Sequence, residues 1–292
     1  MLYTISNDQL SVQISDLGAE IKSVKRLDDG CEYMWQGDPK YWEDSAPVLF
    51  PICGRFVGGS YSYCGREYEM GMHGFAASTL YAVEQKGADA VTFSMKDSDV
   101  TRAQYPFAFT FAITYRLVGD TLVCDVAFSN EGEEIMPATF GAHPGFRVPL
   151  TDKACFEDYY LEFAERCDPN QLLITPSGFY SGRQVALPLE EGKKLWMSHD
   201  LFKSDGIFMS RMAGKVTLKT DKDARGVTLC YTDYPYLGIW QEYGEDTPFL
   251  CIEPWYGMAA YDGEHTDLSQ KPDMFRLLPG ERKELCYSIQ FH

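Results

Sequence analysis

The sequence is poor in basic residues and lacks any long hydrophobic run. Lys and Arg contribute 26 of the 292 residues, whereas Asp and Glu contribute 43, so the formal net charge at pH 7 is −17. A surface of this charge repels nucleic-acid phosphates and anionic lipids, so we expect neither a nucleic-acid partner nor a membrane role. No apolar stretch approaches the roughly 20 residues that a bilayer-spanning helix needs. The composition therefore predicts a soluble protein.

Closely spaced cysteine pairs and a targeting segment are also missing. The nine cysteines form no CxxC pair. An odd, scattered set is typical of reduced, buried thiols rather than of a disulfide framework. The opening stretch MLYTISNDQLSVQISDLG has neither a basic segment nor the apolar run of a signal peptide. We therefore expect a cytoplasmic protein.

Several motifs that identify catalytic mechanisms are absent as well. The sequence contains no HExxH, GxGxxG, GxxxxGK(S/T) or GxSxG pattern, and no group of residues with the spacing of metal ligands. We therefore expect no metal, no cofactor and no serine or cysteine nucleophile. Acid–base chemistry by a histidine and a carboxylate is the mechanism that these absences leave.

Apolar residues alternate with polar ones along most of the chain. Residues 10–15 and 285–292 show this pattern clearly. FAFTFAITYRL and TLVCDVAFSN flank VGD and predict a hairpin, and KVTLKT and GVTLCYT predict another. Helical patterns are scarce, and we predict only a short turn or helix at DPKYWED and another at SHDLF. With no linker or repeat, the sequence predicts one all-β domain over residues 1–292, a large antiparallel β-sandwich.

Four loop-like stretches combine reactive side chains with Gly or Pro. PICGRF, MHGF, GAHPGF and CIEPWYGM contain Arg55, His73, His143 and Glu253. Pro144 restricts the backbone of His143 to extended geometry, which fixes the direction of the ring. A carboxylate that follows the apolar run PFLCI is costly to bury unless it has a partner. Taken singly, His143 could be a structural residue and Glu253 could be a salt-bridge partner.

Taken together, these stretches resemble a known family. FPICGRF, MHGFA, GAHPGF and EPWYGM, in this order and spacing, are similar to the motifs of the aldose 1-epimerase (galactose mutarotase) family, and most nearly to its LacX-like branch. The similarity extends over essentially the whole chain and includes the closing LLPGE segment. The resemblance implies a galactose mutarotase-like β-sandwich whose concave face binds a sugar.

The resemblance also implies roles for individual residues. Glu253 matches the family's general base and His143 its general acid, which exchange α and β anomers by proton transfer at the C1 hydroxyl and the ring oxygen. Arg55 and His73 match groups that contact the sugar. Asp205 resembles an acidic residue that binds sugar hydroxyls, and it could equally be an ordinary turn residue. This mechanism requires an ionised Glu253 and a protonated His143, without cofactor or metal.

Two departures from the better-known mutarotases bear on the substrate. Phe75 stands where those proteins have a second glycine after the pair that matches His73-Gly74. Pro254-Trp255 follows the glutamate where they have a glutamine. Because these changes lie beside the base and beside a sugar-contacting histidine, they bring a preference for galactose into question.

Tryptophan and arginine side chains leave further possibilities open. Trp255, Trp35 or Trp42 could stack on a sugar face, although a tryptophan in a sandwich usually belongs to the core. Arg102 or Arg147 could help to bind a hexose 6-phosphate, which requires cationic side chains.

Two other classes of function compete with the epimerase. A carbohydrate-binding or sugar-sensing sandwich would keep the cleft without turnover, but it would not need a poised acid and base. A polysaccharide-active enzyme would need a long groove, for which this chain has no additional helical domain. The sequence therefore predicts a monosaccharide substrate, and it fits a monomer or a weak homodimer equally well.

Overall fold

The computed structural model describes residues 1–244 and 246–292. Their regular structure consists mostly of β-strands, numbered here in chain order. The first strands are β1 (Leu2–Ser6), β2 (Leu10–Ser15), β3 (Ile21–Arg26), β4 (Val48–Leu49), β5 (Ser60–Tyr63), β6 (Arg66–Glu69), β7 (Ala82–Gln85), β8 (Ala90–Lys96), β9 (Phe109–Val118), β10 (Thr121–Asn130), β11 (Met136–Ala138), β12 (Gly141–Ala142) and β13 (Gly145–Arg147). The remaining strands are β14 (Tyr159–Phe163), β15 (Asn170–Ile174), β16 (Tyr180–Ala186), β17 (Lys194–Trp196), β18 (Ile207–Ser210), β19 (Lys215–Thr220), β20 (Asp223–Cys230), β21 (Tyr236–Trp240), β22 (Phe249–Trp255), β23 (Thr266–Asp267), β24 (Phe275–Leu277) and β25 (Arg282–Phe291).

Two large antiparallel sheets make up most of the fold. One has nine strands in the order β17-β14-β19-β20-β25-β10-β9-β8-β7. The other has eight strands in the order β16-β15-β18-β21-β22-β12-β4, with β13 also paired to β22. Phe50, directly after β4, stacks on Phe111 of β9 and Phe128 of β10, with ring centroids 4.8 and 5.6 Å apart. Side chains from both sheets thus share one core, and the predicted antiparallel β-sandwich is confirmed.

The predicted hairpins are present. β9 and β10 pair antiparallel around Gly119-Asp120, and β19 and β20 pair around Asp221-Lys222. Burial alternates strictly along β9 and β10, so one face of each strand enters the core. The N-terminal and C-terminal alternation likewise corresponds to β2 and β25. Period-two patterning therefore predicted these pairs correctly.

Helices are few and short in the described residues. SHDLF forms a 3₁₀ helix at His199–Phe202, and DPKYWED forms a turn in which Trp42 N–H donates to Asp38 O. Both predictions are confirmed. An α-helix at Asp99–Gln104 was not predicted; Ser98 is its N-cap and forms a reciprocal cap with Thr101. Other 3₁₀ helices lie at Val57–Gly59, Ala76–Ser78 and Phe156–Asp158.

The nine cysteines are all free, as expected, but they are not all buried. Cys64, Cys155 and Cys286 are exposed, whereas Cys53, Cys124 and Cys251 are buried. The expectation of buried thiols was therefore wrong for these three, because Cys64 and Cys155 lie in loops and Cys286 is at an outward-facing position of β25. None of the helices in the two described ranges has the length and apolarity that a bilayer crossing requires.

The strand β22 connects the core with a polar site. Leu250 and Ile252 point into the main hydrophobic core. Because side chains alternate across a strand, Cys251, Glu253 and Trp255 point to the opposite face of the sheet. Glu253 lies opposite Gly238 of β21 in the strand register. The rigid centre of a sheet therefore holds the carboxyl group.

Candidate active site

A cavity of about 340 Å³ opens on this face of the eight-stranded sheet. It is lined by all six site residues predicted from the sequence: Arg55, His73, His143, Asp205, Glu253 and Trp255. Small-molecule sites have volumes of roughly 300–1,000 Å³, so this cavity suits a ligand of monosaccharide size. The fold brings together stretches that are up to two hundred positions apart in the sequence.

His143 and Glu253 lie close together in this cavity. His143 sits between β12 and β13, where Pro144 interrupts strand pairing. His143 N–H donates to Pro47 O (3.2 Å), and Ile252 N–H donates to Pro144 O (3.1 Å). These two backbone hydrogen bonds fix the interruption against the neighbouring strands. His143 Nε2 lies 3.2 Å from Glu253 Oε2.

Both groups are buried and incompletely hydrogen-bonded. Glu253 is 0% exposed and His143 is 9% exposed. Although Nε2 and Oε2 are within ion-pair distance, their alignment does not make a hydrogen bond. Within the described residues, neither oxygen of Glu253 has a hydrogen-bond partner, nor does His143 Nδ1 or Trp255 Nε1. Since buried polar atoms almost always have partners, this concentration of unpaired atoms indicates a ligand site.

Burial shifts the pKa values of both members of the pair. Desolvation raises the pKa of Glu253 well above its usual value, and the negative charge of Asp205 raises it further. Desolvation lowers the pKa of His143 to about 4. In the free cavity these shifts favour the neutral carboxyl and neutral imidazole, contrary to the charged pair that the sequence analysis required. Transfer of one proton from Oε2 to Nε2 converts the neutral pair into the charged pair without exchange with solvent.

His73 is held in an unusual backbone conformation beside the pair. Its φ angle is +64°, which is uncommon for a residue other than glycine. His73 N–H donates to Gly54 O (2.7 Å), and Gly54 N–H donates to His73 Nδ1 (3.1 Å). Burial lowers the pKa of His73 to about 3, with smaller contributions from the positive charge of Arg55 and from the charge of His143 when it is protonated. Its imidazole is therefore neutral, with the proton on Nε2 available as a donor.

Gly74, which follows His73, is expected to be essential for this loop. Its φ angle is +75°, and a Cβ atom there would lie 2.3 Å from Phe50 O. Gly74→Ala should lower the free energy of unfolding by about 3 kcal/mol, because it combines left-handed strain with a backbone clash. Gly280→Ala is the matched control, since Gly280 has a φ of +74° and a Cβ atom there would have no neighbour within 4 Å. It should cost only about 1 kcal/mol. Equal losses in urea denaturation would contradict the clash.

Arg55 is the cationic residue of the cavity. Its Nη2 atom lies 2.9 Å from Met72 Sδ, at an exposed edge of the site. Arg102, on the short α-helix, forms an ion pair with Asp97, which precedes the helix. Arg147 is exposed on β13. Neither lines the cavity, so the suggestion that they could help to bind a phosphate is wrong. Their sequence positions carried no information on which face of the fold they occupy.

Asp205 and Trp255 each combine a structural position with a place in the cavity. Asp205 has a φ angle of +148°, and its Oδ1 accepts a hydrogen bond from Gly206 N–H (2.6 Å). Trp255 is buried and packs against Phe208, with ring centroids 4.7 Å apart. Each of these residues therefore has structural contacts and also lines the cavity, and a role for either in sugar binding stays a prediction.

Several lining residues were missed or only partly predicted. Trp42 and Trp240 flank the His143 ring, with centroid distances of 5.2 and 5.6 Å. Trp35 does not line the cavity and instead stacks on Phe249 at 4.8 Å. The lining residues that were not selected from the sequence include Asp44, Met72, Phe208, Trp240, Glu242 and Met258. Only the register of β21 against β22, which pairs Trp240 with Cys251, could have identified Trp240.

The fold and the cavity define a galactose mutarotase-like β-sandwich with a buried histidine–glutamate pair on its eight-stranded sheet. The chain belongs to the aldose 1-epimerase family, whose sequence model matches residues 1–287. It is 33% identical to the chromosomal protein LacX of Lactococcus lactis subsp. lactis over 99% of both chains. The resemblance stated from the sequence is thus confirmed.

Solved structures give the same classification. A galactose mutarotase related enzyme from Lactobacillus acidophilus is 36% identical, with a TM-score of 0.94 over 100% of this chain and 97% of that one. A galactose mutarotase-like protein from Lactobacillus casei ATCC 334 is 32% identical, with a TM-score of 0.95 over 100% of both chains. These relatives share the whole fold, including the sheet that carries the cavity.

Proposed function

We propose that this protein is an aldose 1-epimerase that interconverts the α and β anomers of a hexose or a related sugar. The observation that carries the proposal is the buried pair of His143 and Glu253, 3.2 Å apart in a cavity of monosaccharide size. Family membership supports the reaction class. Anomer exchange needs one acid and one base, and a pair that shares one titratable proton supplies both.

The reaction follows from the chemistry of the hemiacetal. Glu253 takes the proton of the C1 hydroxyl while His143 protonates the ring oxygen. The bond between C1 and the ring oxygen then breaks and leaves an open-chain aldehyde. After rotation about the C1–C2 bond, the oxygen attacks the other face of C1. Both protons return in the reverse transfers, so the enzyme is unchanged at the end.

Sugar binding offsets the burial that favours a neutral pair. Hydroxyl groups of the sugar can donate to the unpaired oxygens of Glu253, and such bonds stabilise the ionised carboxylate. The released proton moves to His143. The indole rings of Trp42 and Trp240 lie within about 6 Å of the imidazole, where aromatic faces stabilise a cation. The charged pair thus forms in the complex rather than in the free protein.

The other lining groups suit recognition of a polyhydroxylated ring. His73 Nε2–H and Trp255 Nε1–H can donate to sugar oxygens, whereas Asp205 offers acceptor oxygens. Arg55 adds five further donors at the edge of the cavity. Apolar surface from Trp255 and Phe208 complements the C–H face of a sugar. A sugar sensor would use the same donors, but it would gain nothing from the buried pair of His143 and Glu253.

Free sugars should be better substrates than their 6-phosphates. Among the residues that the structure describes, four acidic ones (Asp44, Asp205, Glu242 and Glu253) and one arginine line the cavity. Placing a dianionic phosphate near these groups costs free energy, so kcat/KM should be at least ~10-fold higher for glucose or galactose than for the corresponding 6-phosphate. Polarimetry of freshly dissolved anomers measures both.

The control for this comparison is ionic strength. Added salt screens the net charge of −17 on the surface more than it screens charges inside the cavity. The preference for free sugars should therefore persist at high salt. A higher kcat/KM on a 6-phosphate would contradict the assignment and favour a hexose-6-phosphate mutarotase.

A further inference from the structure

A third potential ligand of metal ions lies beside the His–Glu pair. Cys251 precedes Glu253 by two residues on β22, so both side chains emerge on the same face. One ligand atom each from His143, Cys251 and Glu253 lies within 4.8 Å of the other two. All three residues are buried. The sequence showed no such grouping, because His143 is more than a hundred positions away.

The three donor atoms match the ligand preferences of a divalent cation of intermediate softness, such as Zn²⁺. Imidazole, thiolate and carboxylate are the three ligand types of protein zinc sites. At the usual zinc–ligand distances, the ligands of a tetrahedral ion lie about 3.4 Å apart, close to the 3.2 Å between His143 Nε2 and Glu253 Oε2. The fourth position would face the cavity and could hold water. Both oxygens of Glu253 also lack a hydrogen-bond partner within the described residues, although the side chain is 0% exposed.

We propose that His143, Cys251 and Glu253 form a binding site for a zinc-like divalent cation at the base of the cavity. Binding would displace the thiol proton of Cys251 and the carboxyl proton of Glu253 to solvent, so that thiolate and carboxylate bind the cation. The cation would occupy both groups assigned to proton transfer and should therefore inhibit anomer exchange. That consequence rests on the proposed function, whereas cation binding itself does not.

Cobalt substitution tests the site without any need for turnover. Co²⁺ added to the metal-free protein should give a thiolate-to-cobalt charge-transfer band, and titration with Zn²⁺ should remove it. Cys251→Ser should abolish the band and weaken Zn²⁺ binding, measured by calorimetry, by at least the ~10–100-fold that loss of even an outer-shell partner costs. Cys53→Ser is the matched control, because Cys53 is also a buried thiol in this wall of the fold but is not a member of the group. It should keep the band.

The outcomes separate this proposal from the proposed function. A missing band in wild type, or a band that survives in Cys251→Ser, would overturn the metal site whatever the activity of the protein. His143→Asn provides a second variant if Cys251→Ser does not fold, and it should weaken Zn²⁺ binding to a similar degree. Unchanged Zn²⁺ affinity in that variant would also overturn the site. A cobalt band in a protein whose metal-free form does not accelerate anomer exchange would support the metal site and reject the enzyme.

Discussion

Glu253→Gln is expected to lower kcat for anomer exchange by about 10²- to 10⁴-fold, the usual contribution of one positioned proton-transfer group. The amide keeps the shape of the side chain but cannot accept the C1 hydroxyl proton. KM should change much less than kcat, because the amide oxygen can still accept a hydrogen bond from a sugar hydroxyl, whereas the proton transfer in the transition state is lost. The free energy of unfolding should stay within about 1 kcal/mol of wild type, since the carboxyl group has no hydrogen bond to lose among the described residues. Polarimetry and urea denaturation measure these quantities.

The matched control for this variant is Glu242→Gln. Glu242 lines the same cavity, but it is exposed at the rim, whereas Glu253 is buried beside His143. The same chemical change there should reduce kcat by less than about tenfold, since a rim acid takes no part in proton transfer. Comparable losses in the two variants would contradict the assignment of Glu253 as the base and would indicate a general effect of cavity charge.

His143→Asn is expected to lower kcat to a similar extent. Asparagine can hydrogen-bond to the ring oxygen but cannot deliver a proton to it, so only the acid is lost. A decrease of about 10²- to 10⁴-fold would match the value for a single proton transfer. The backbone bonds that fix the 141–147 segment involve main-chain atoms and should survive. The melting temperature of the variant should therefore stay near that of wild type.

His265→Asn controls for the chemical change in this second variant. His265 is half exposed and lies near Glu67, outside the cavity. Its replacement should leave both activity and stability unchanged. If His143→Asn instead unfolds the protein at ordinary temperature while its residual activity per folded molecule is normal, His143 is a structural residue.

The sandwich was predictable from the sequence because apolar and polar residues alternate with a period of two along its strands. β9 and β10 alternate between buried and half-exposed residues along most of their length. The α-helix at Asp99–Gln104 shows too little helical periodicity to be predicted, since six residues make fewer than two turns. Its start at Ser98 could have been found from the capping pattern alone.

The candidate site was predictable in part because its residues lie in distinctive sequence stretches, although the expectation of a loop was wrong for Glu253, which lies in β22. Each of the four residues adjoins Gly or Pro: His143, His73, Arg55 and Glu253. The family resemblance then implied a role for each of them. Trp240 was not predictable, because its position depends on the register of β21 against β22. Pairing across strands brings such residues together, and no local pattern encodes it.

The protonation states of His143 and Glu253 could not be predicted from the sequence, for a physical reason. They depend on burial, which the fold determines, and burial proved to favour the neutral forms of both His143 and Glu253 in the free cavity. The mechanism implied by the family resemblance requires the charged forms of both groups. Neutral groups in the free cavity are compatible with charged groups during catalysis only if sugar binding promotes proton transfer from Glu253 to His143. Substrate binding is then part of the acid–base chemistry.

Magnetisation-transfer NMR between the α and β anomeric protons of glucose and galactose tests the central claim most directly. The experiment observes exchange at equilibrium, so it needs no coupled enzyme and no net conversion. Wild-type protein should accelerate exchange on at least one of these sugars, and Glu253→Gln at the same concentration should not. If wild type binds a sugar without accelerating its exchange, the cavity belongs to a carbohydrate-binding protein and the proposed function is wrong.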